Sequence, residues 1–169
     1  MKTLGLIFFS LIVVSCSLST PKVAKTSVED LNNFMNDWHR EVANSNFDAY
    51  FSKIDSLGFF IGTDASEVWT KAEFASFSRP YFDKKQTWDF KPLSRHFYIN
   101  EASNVAWFDE VLDTWMGVCR GSGVLQQKDG KWKIMQYVLS VTIPNDDIKL
   151  VIAAKKVNDS IAKAKFKKY

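Results

Sequence analysis

From Ser27 to Ala43 the chain reads SVEDLNNFMNDWHREVA, with apolar residues Val28, Leu31, Met35, Trp38 and Val42 recurring at three- and four-residue steps. That spacing draws one apolar stripe along an α-helix, and Ser27 followed by Asp30 suits its capped start. SNFDAYFSKI predicts a second, shorter helix, and LGFFIG a buried strand. Thr70 and Glu73 stand at capping-box spacing and open a third helix, which Pro80 should bend or end. From Gln86 onward the pattern alternates instead. TWDF, SRHFYI, NVAWFDEVLD, GVCRGSGVLQQ and KWKIMQYVLSVTI read as strands separated by short polar breaks. NDDIKLVIAAKKVNDSIAKAKFKKY then reads as a helix with acids at its start and lysines at its end, the order a helix dipole favours. Helices followed by a meander predict an α+β domain. Its N-terminal helices cover the concave face of a curved, mostly antiparallel sheet, and a C-terminal helix follows.

The Asp129-Gly130 pair between the last two strands suits a tight hairpin turn, which sets a register. A regular turn puts Gly121, Gly123, Gln136 and Val138 on the same face as Trp132 and Ile134, taken here as the concave one, and Val124, Met135, Tyr137 and Leu139 on the outer face. A one-residue bulge would reverse every assignment beyond it. Closing the preceding turn at Thr114-Trp115 places Phe108, Glu110 and Cys119 on the concave face, with Glu110 opposite Cys119 and Phe108 opposite Gly121. Asp109 then pairs with Arg120 outside. A four-residue loop at 101–104 sets Arg95 across from Glu110, whereas a five-residue loop would substitute His96.

The 169 residues suit one domain with a real core, and 46% hydrophobic with 24% charged residues is a globular balance. A net charge of +3 without a basic cluster in the folded centre argues against nucleic acid as a partner. Residues 1–15 carry one cation, Lys2, then an apolar run from Leu4 to Val14 too short for a comfortable span. The ending Val13-Val14-Ser15-Cys16 resembles a bacterial lipobox, which implies cleavage before Cys16, lipidation of that cysteine, and a lipid-anchored protein of the bacterial cell envelope. Residues 16–26 then form a tether, 27–145 the domain, and 146–169 the final helix. The mature charge would fall from +3 to +2 with Lys2 removed. Cys119 would remain alone, a small buried residue rather than a nucleophile. His39 and His96 do not stand at metal-ligand spacing, so neither a metal nor a cofactor is expected. His39 is expected on the exposed side of its helix.

FIGTDASEVW, AWFDEVL, RGSGVL and DGKWKIMQYVLSVTIPN, in that order, resemble the signature stretches of the nuclear transport factor 2-like superfamily, in its SnoaL-like branch. The resemblance implies a cone-shaped fold with a pocket between the sheet's concave face and the helices, and a function ranging from isomerase, dehydratase or cyclase to a binding or assembly module. On that expectation the pocket is lined by Trp38, Arg95, Phe108, Glu110, Cys119, Gly121, Gly123, Gln136 and Val138. Glu110 is the candidate catalytic residue. Enclosed without a cation it would have a raised pKa and could serve as a general base; paired with Arg95 it would stay ionised and orient structure or ligand. The inward Gln136, Val138 and Ser140 stand where some enzymatic relatives present a histidine or acid, which favours a binder of a small apolar or amphipathic molecule over an enzyme. A third reading uses the outer sheet face as a homodimer surface.

Overall fold

A computed structural model of the protein describes residues 26–166. The expected leader, Cys16 and most of the expected tether lie outside the described residues. Among the described residues every core residue falls between Leu31 and Leu139, so a chain beginning at Ser17 retains them all.

Helix α1 (Val28–Ala43) starts on a capping box in which Ser27 Oγ accepts from the Asp30 amide and the Asp30 carboxylate accepts from the Ser27 amide. Its inward side carries Leu31, Met35, Trp38, His39 and Val42. Helix α2 (Phe47–Ser52) leads into strand β1 (Ile54–Ile61), and a short strand β2 (Val68–Thr70) precedes α3 (Lys71–Asp83). The Thr70–Glu73 capping box is present. Pro80 does not end α3, which runs on to Asp83. The missing proline N–H costs one bond, and the helix stops within a turn of it.

Strands β3 (Lys91–Asn100), β4 (Val105–Thr114), β5 (Gly117–Lys128) and β6 (Lys131–Val141) complete a six-stranded sheet in the order β2-β1-β6-β5-β4-β3. All pairings are antiparallel except β1 with β6. The TWDF segment is not a strand. It is irregular, and its Trp88 and Phe90 turn into the core. After a short 3₁₀ turn (Asn145–Asp147) comes α4 (Ile148–Phe166), none of whose residues is buried.

Three registers decide which side chains face the helices. Arg95 pairs with Glu110 across β3 and β4, as the four-residue loop predicts. On β4 and β5 the turn is Trp115-Met116, one residue later than expected. Glu110 therefore faces Gly121, Phe108 faces Gly123 and Leu112 faces Cys119; the pairing shifts by two residues and the inward set is kept. On β5 and β6 the hairpin register holds from Lys128–Lys131 to Leu125–Ile134, then breaks: Val124 pairs with Gln136, leaving Met135 as an extra residue. That bulge reverses the remainder of β6. Tyr137 and Leu139 point inward and are buried, while Gln136, Val138 and Ser140 belong to the outer face. The pocket positions expected for Gln136 and Val138 are thus corrected, as are the outer positions expected for Tyr137 and Leu139.

Candidate functional site

Glu110 sits on the concave face of β4 and is fully buried. Its carboxylate is closed by three partners from three elements. Oε1 accepts from Tyr137 Oη at 2.7 Å and from His39 Nε2 at 3.0 Å. Because an ionised carboxylate can only accept, Nε2 carries the proton. Oε2 accepts from Arg95 Nε at 2.8 Å and lies 2.7 Å from Arg95 Nη2. The guanidinium is held in turn by α1, through Asn36 Oδ1 at 2.9 Å and Asn32 Oδ1 at 3.2 Å.

Burial pushes the Glu110 carboxyl up. The bond from His39 and its field, the Arg95 guanidinium and the Tyr137 hydroxyl together outweigh that push and hold it below the ordinary carboxylate range. Tyr137 is driven the other way, well above the ordinary phenol value, by burial and by the neighbouring Glu110 charge, so it remains a donor. Of the two alternatives for Glu110, the geometry matches the Arg95-paired one. A base needs a free lone pair and a proton affinity near the working pH. This carboxylate already accepts three hydrogen bonds in a closed site, and its proton affinity is lowered.

His39, expected exposed, is only 5% exposed. The signal for it lies in α1: Leu31, Met35 and His39 form a row at four-residue steps, and Asn32 and Asn36 form the polar row beside it. Tyr137 was hidden from sequence reasoning by the bulge. His96 stays on the outer face, 3.4 Å from Asp109, which also meets Arg120 at 3.5 Å as expected.

The space left by the two glycines is taken by the protein itself. A Cβ on Gly121 would collide with the Tyr137 hydroxyl and approach Glu110 Oε1 to 2.8 Å. One on Gly123 would come within 2.9 Å of the Phe108 ring. Trp38, expected in the pocket lining, is core, stacked on Tyr50 at 5.0 Å and edge-on to Tyr137 at 4.7 Å. Phe108 and Cys119 are buried in the same packing.

The space around Glu110 is therefore filled with rings, and a cavity of about 360 Å³ lies beside that packing. Phe74, Phe77 and Tyr81 of α3 form one wall, Trp88 and Phe90 a second, and Trp115 and Met116 of the β4–β5 turn the third. Phe60 and Leu139 contribute from the sheet, and Thr63 and Glu67 from the β1–β2 loop. None of the nine expected pocket residues lines it. Phe60, sandwiched between Phe74 at 3.9 Å and Tyr137 at 5.6 Å, separates this cavity from the Glu110 cluster. Among the described residues no cluster of histidine, cysteine or carboxylates is arranged to hold a metal ion.

Helices covering the concave face of a curved sheet, with an aromatic cavity beside the packed interior, define the cone-fold class of α+β domains. The chain belongs to the SnoaL-like domain family, whose model matches residues 31–144. Among solved structures it is similar to an NTF2-like protein from Cytophaga hutchinsonii (TM-score 0.58, 12% identity, 70% of this chain and 100% of that one). A domain with a cystatin-like fold from Nostoc punctiforme aligns over 83% of this chain and 99% of its own (TM-score 0.59, 14% identity). The association domain of C. elegans CaMKII aligns over 67% and 94% (TM-score 0.56, 16% identity). At such identities the likeness is one of fold. A search of curated proteins found no match.

Proposed function

We propose that this SnoaL-like domain is a binding module of the bacterial envelope, lipid-anchored at Cys16, that takes a small apolar or amphipathic molecule and performs no acid–base catalysis. The aromatic cavity carries this reading. Its volume of about 360 Å³ falls within the usual range for small-molecule sites, roughly 300–1,000 Å³. Apolar rings make its walls, and Glu67 and Thr63 put a few polar atoms beside them to orient an amphipathic guest. The sealed state of Glu110 supports the absence of catalysis.

The test is a thermal-shift and tryptophan-fluorescence titration of the chain from Ser17, with naphthalene, indole and medium-chain fatty acids as probes. At least one probe should raise the unfolding midpoint, since a ligand of the folded state stabilises it. Trp115 is 80% exposed, so Trp115→Glu should leave stability within about 0.5 kcal/mol while weakening that probe roughly tenfold. No response from the whole panel, or one indifferent to Trp115→Glu, defeats the reading.

A second reading rests on the outer sheet face. There Tyr98 and Trp107 stack at 5.8 Å while remaining 50% and 46% exposed. An exposed aromatic ladder is the kind of surface that a second copy covers, and one structural neighbour is an association domain. Sedimentation equilibrium should then show a dimer that Trp107→Arg dissociates; a monomer at all concentrations rejects it.

A further inference from the structure

Helix α4 carries exposed apolar residues that the domain does not use, most of them in one stripe, with Ile152 outside it. The residues turned toward the body are Val151, Asp159 and Ala162, each half-buried, with Phe166 beside Ala65 of the β1–β2 loop. Around the helix from these, at steps of four and three, run Leu150, Ala154 and Val157, and Ile161 continues the row to a cleft beside Thr63 and Ala65 of the β1–β2 loop. Leu150 is 73% exposed, Val157 70% and Ile161 54%. Successive residues of an α-helix lie 100° apart, so this stripe faces roughly away from the domain.

The charges flanking the stripe are of one sign. Lys149, Lys156 and Lys163 recur at seven-residue steps along one border, whereas Lys165 lies near Asp64 of the β1–β2 loop. The one acid in α4 is Asp159, which is on the inner side and pairs with Lys155 at 3.3 Å. Five lysines against one aspartate give the helix a net charge of +4.

From this pattern we infer that α4 lies on anionic lipid, with the stripe in the headgroup boundary and the lysine row among the lipid phosphates. A second copy of α4 would bring lysines to lysines, because the helix has no free acid to offer across the seam. A shaped protein groove calls for a protruding aromatic or arginine anchor. Leu, Ala, Val and Ile make a flat stripe instead, suited to a fluid surface. Each lysine near an anionic surface multiplies affinity about fivefold, so the charge term should dominate. The inference does not depend on Cys16 or on the aromatic cavity.

The test uses the chain beginning at Ser17, which bears no leader and no acyl chain. It is sedimented with vesicles of phosphatidylcholine and phosphatidylglycerol at about three to one, and with phosphatidylcholine alone. Anionic vesicles should bind it at least tenfold more tightly, and the difference should shrink as salt rises. The triple change Lys149→Ser, Lys156→Ser and Lys163→Ser should abolish that preference. Leu150→Ser with Val157→Ser should weaken binding to both compositions. All five positions are exposed, so circular dichroism should be unaltered in both variants. Absence of binding to anionic vesicles overturns the inference, and so does binding that survives the triple change. Concentration-dependent self-association lost in the Leu150/Val157 variant, without vesicle binding, also overturns it and assigns the stripe to a second copy.

Discussion

Glu110→Gln should lower the unfolding free energy by about 3 kcal/mol near neutral pH, because removing one member of a buried ion pair strands the other. The stranded group is Arg95, whose side chain is 3% exposed and lies 2.7 Å from the carboxylate it would lose. Glutamine preserves the shape, and its amide oxygen can still accept from Tyr137. It cannot neutralise a guanidinium. The pH dependence gives the sign independently. Since the folded-state pKa of Glu110 is depressed below its ordinary value of 4.5, the stabilisation is fully present above that value and is lost as pH falls through the lower folded one. The gap between wild type and variant should therefore be widest at neutral pH and narrow in acid. Denaturant titrations at about pH 7 and about pH 3 check both statements. A variant as stable as the wild type at neutral pH would mean that the pair does not hold the interior closed.

Tyr137→Ala should have a larger effect, lowering the unfolding free energy by about 4 kcal/mol. The ring is 1% exposed and packs on Trp38 and Phe60, and its hydroxyl donates to Glu110. Truncation leaves a cavity among the rings and takes one donor from a buried carboxylate. That is a large part of the roughly 5–15 kcal/mol by which a domain of this size is stable. Denaturant titration followed by near-ultraviolet circular dichroism reports the outcome: an unchanged midpoint would show that the interior does not depend on this ring. What turns Tyr137 inward is Met135, the extra residue of β6 in its pairing with β5.

The same residue explains where the sequence was legible. Helix faces and caps were readable because they rest on local spacing: Ser27 to Asp30, Thr70 to Glu73, the stripe from Leu31 to Val42. The pairing of Arg95 with Glu110 followed from a loop length. The turn at Trp115-Met116 moved the β4–β5 register by two residues, and an even shift keeps each side chain on its face. The bulge is a shift of one. Nothing local to IMQYVL announces it, because Met135, Tyr137 and Leu139 alternate as regularly as Ile134, Gln136 and Val138. What selects the bulge is tertiary: Glu110 needs the Tyr137 hydroxyl, and Phe60 and Trp38 need its ring. His39 escaped for a related reason. A histidine on an apolar row looks like the edge of the stripe until a carboxylate is known to face it. The cavity was harder still, since Trp88 and Phe90 come from a segment whose alternation mimics a strand.

The cluster around Glu110 joins segments that are far apart in the chain. His39 and Glu110 are separated by 71 positions, and Asn32 and Arg95 by 63. Contacts of that span close late, after the loops between them have lost their freedom. A charge pair has further reason to wait, because Arg95 buried before Glu110 arrives is worse than Arg95 in water. On that argument the folding transition state should largely lack the network, and interactions absent from it slow unfolding more than they speed folding. Its main consequence is lifetime. The ring-filled cone should open rarely, so that its survival against proteases would be set by a slow unfolding rate.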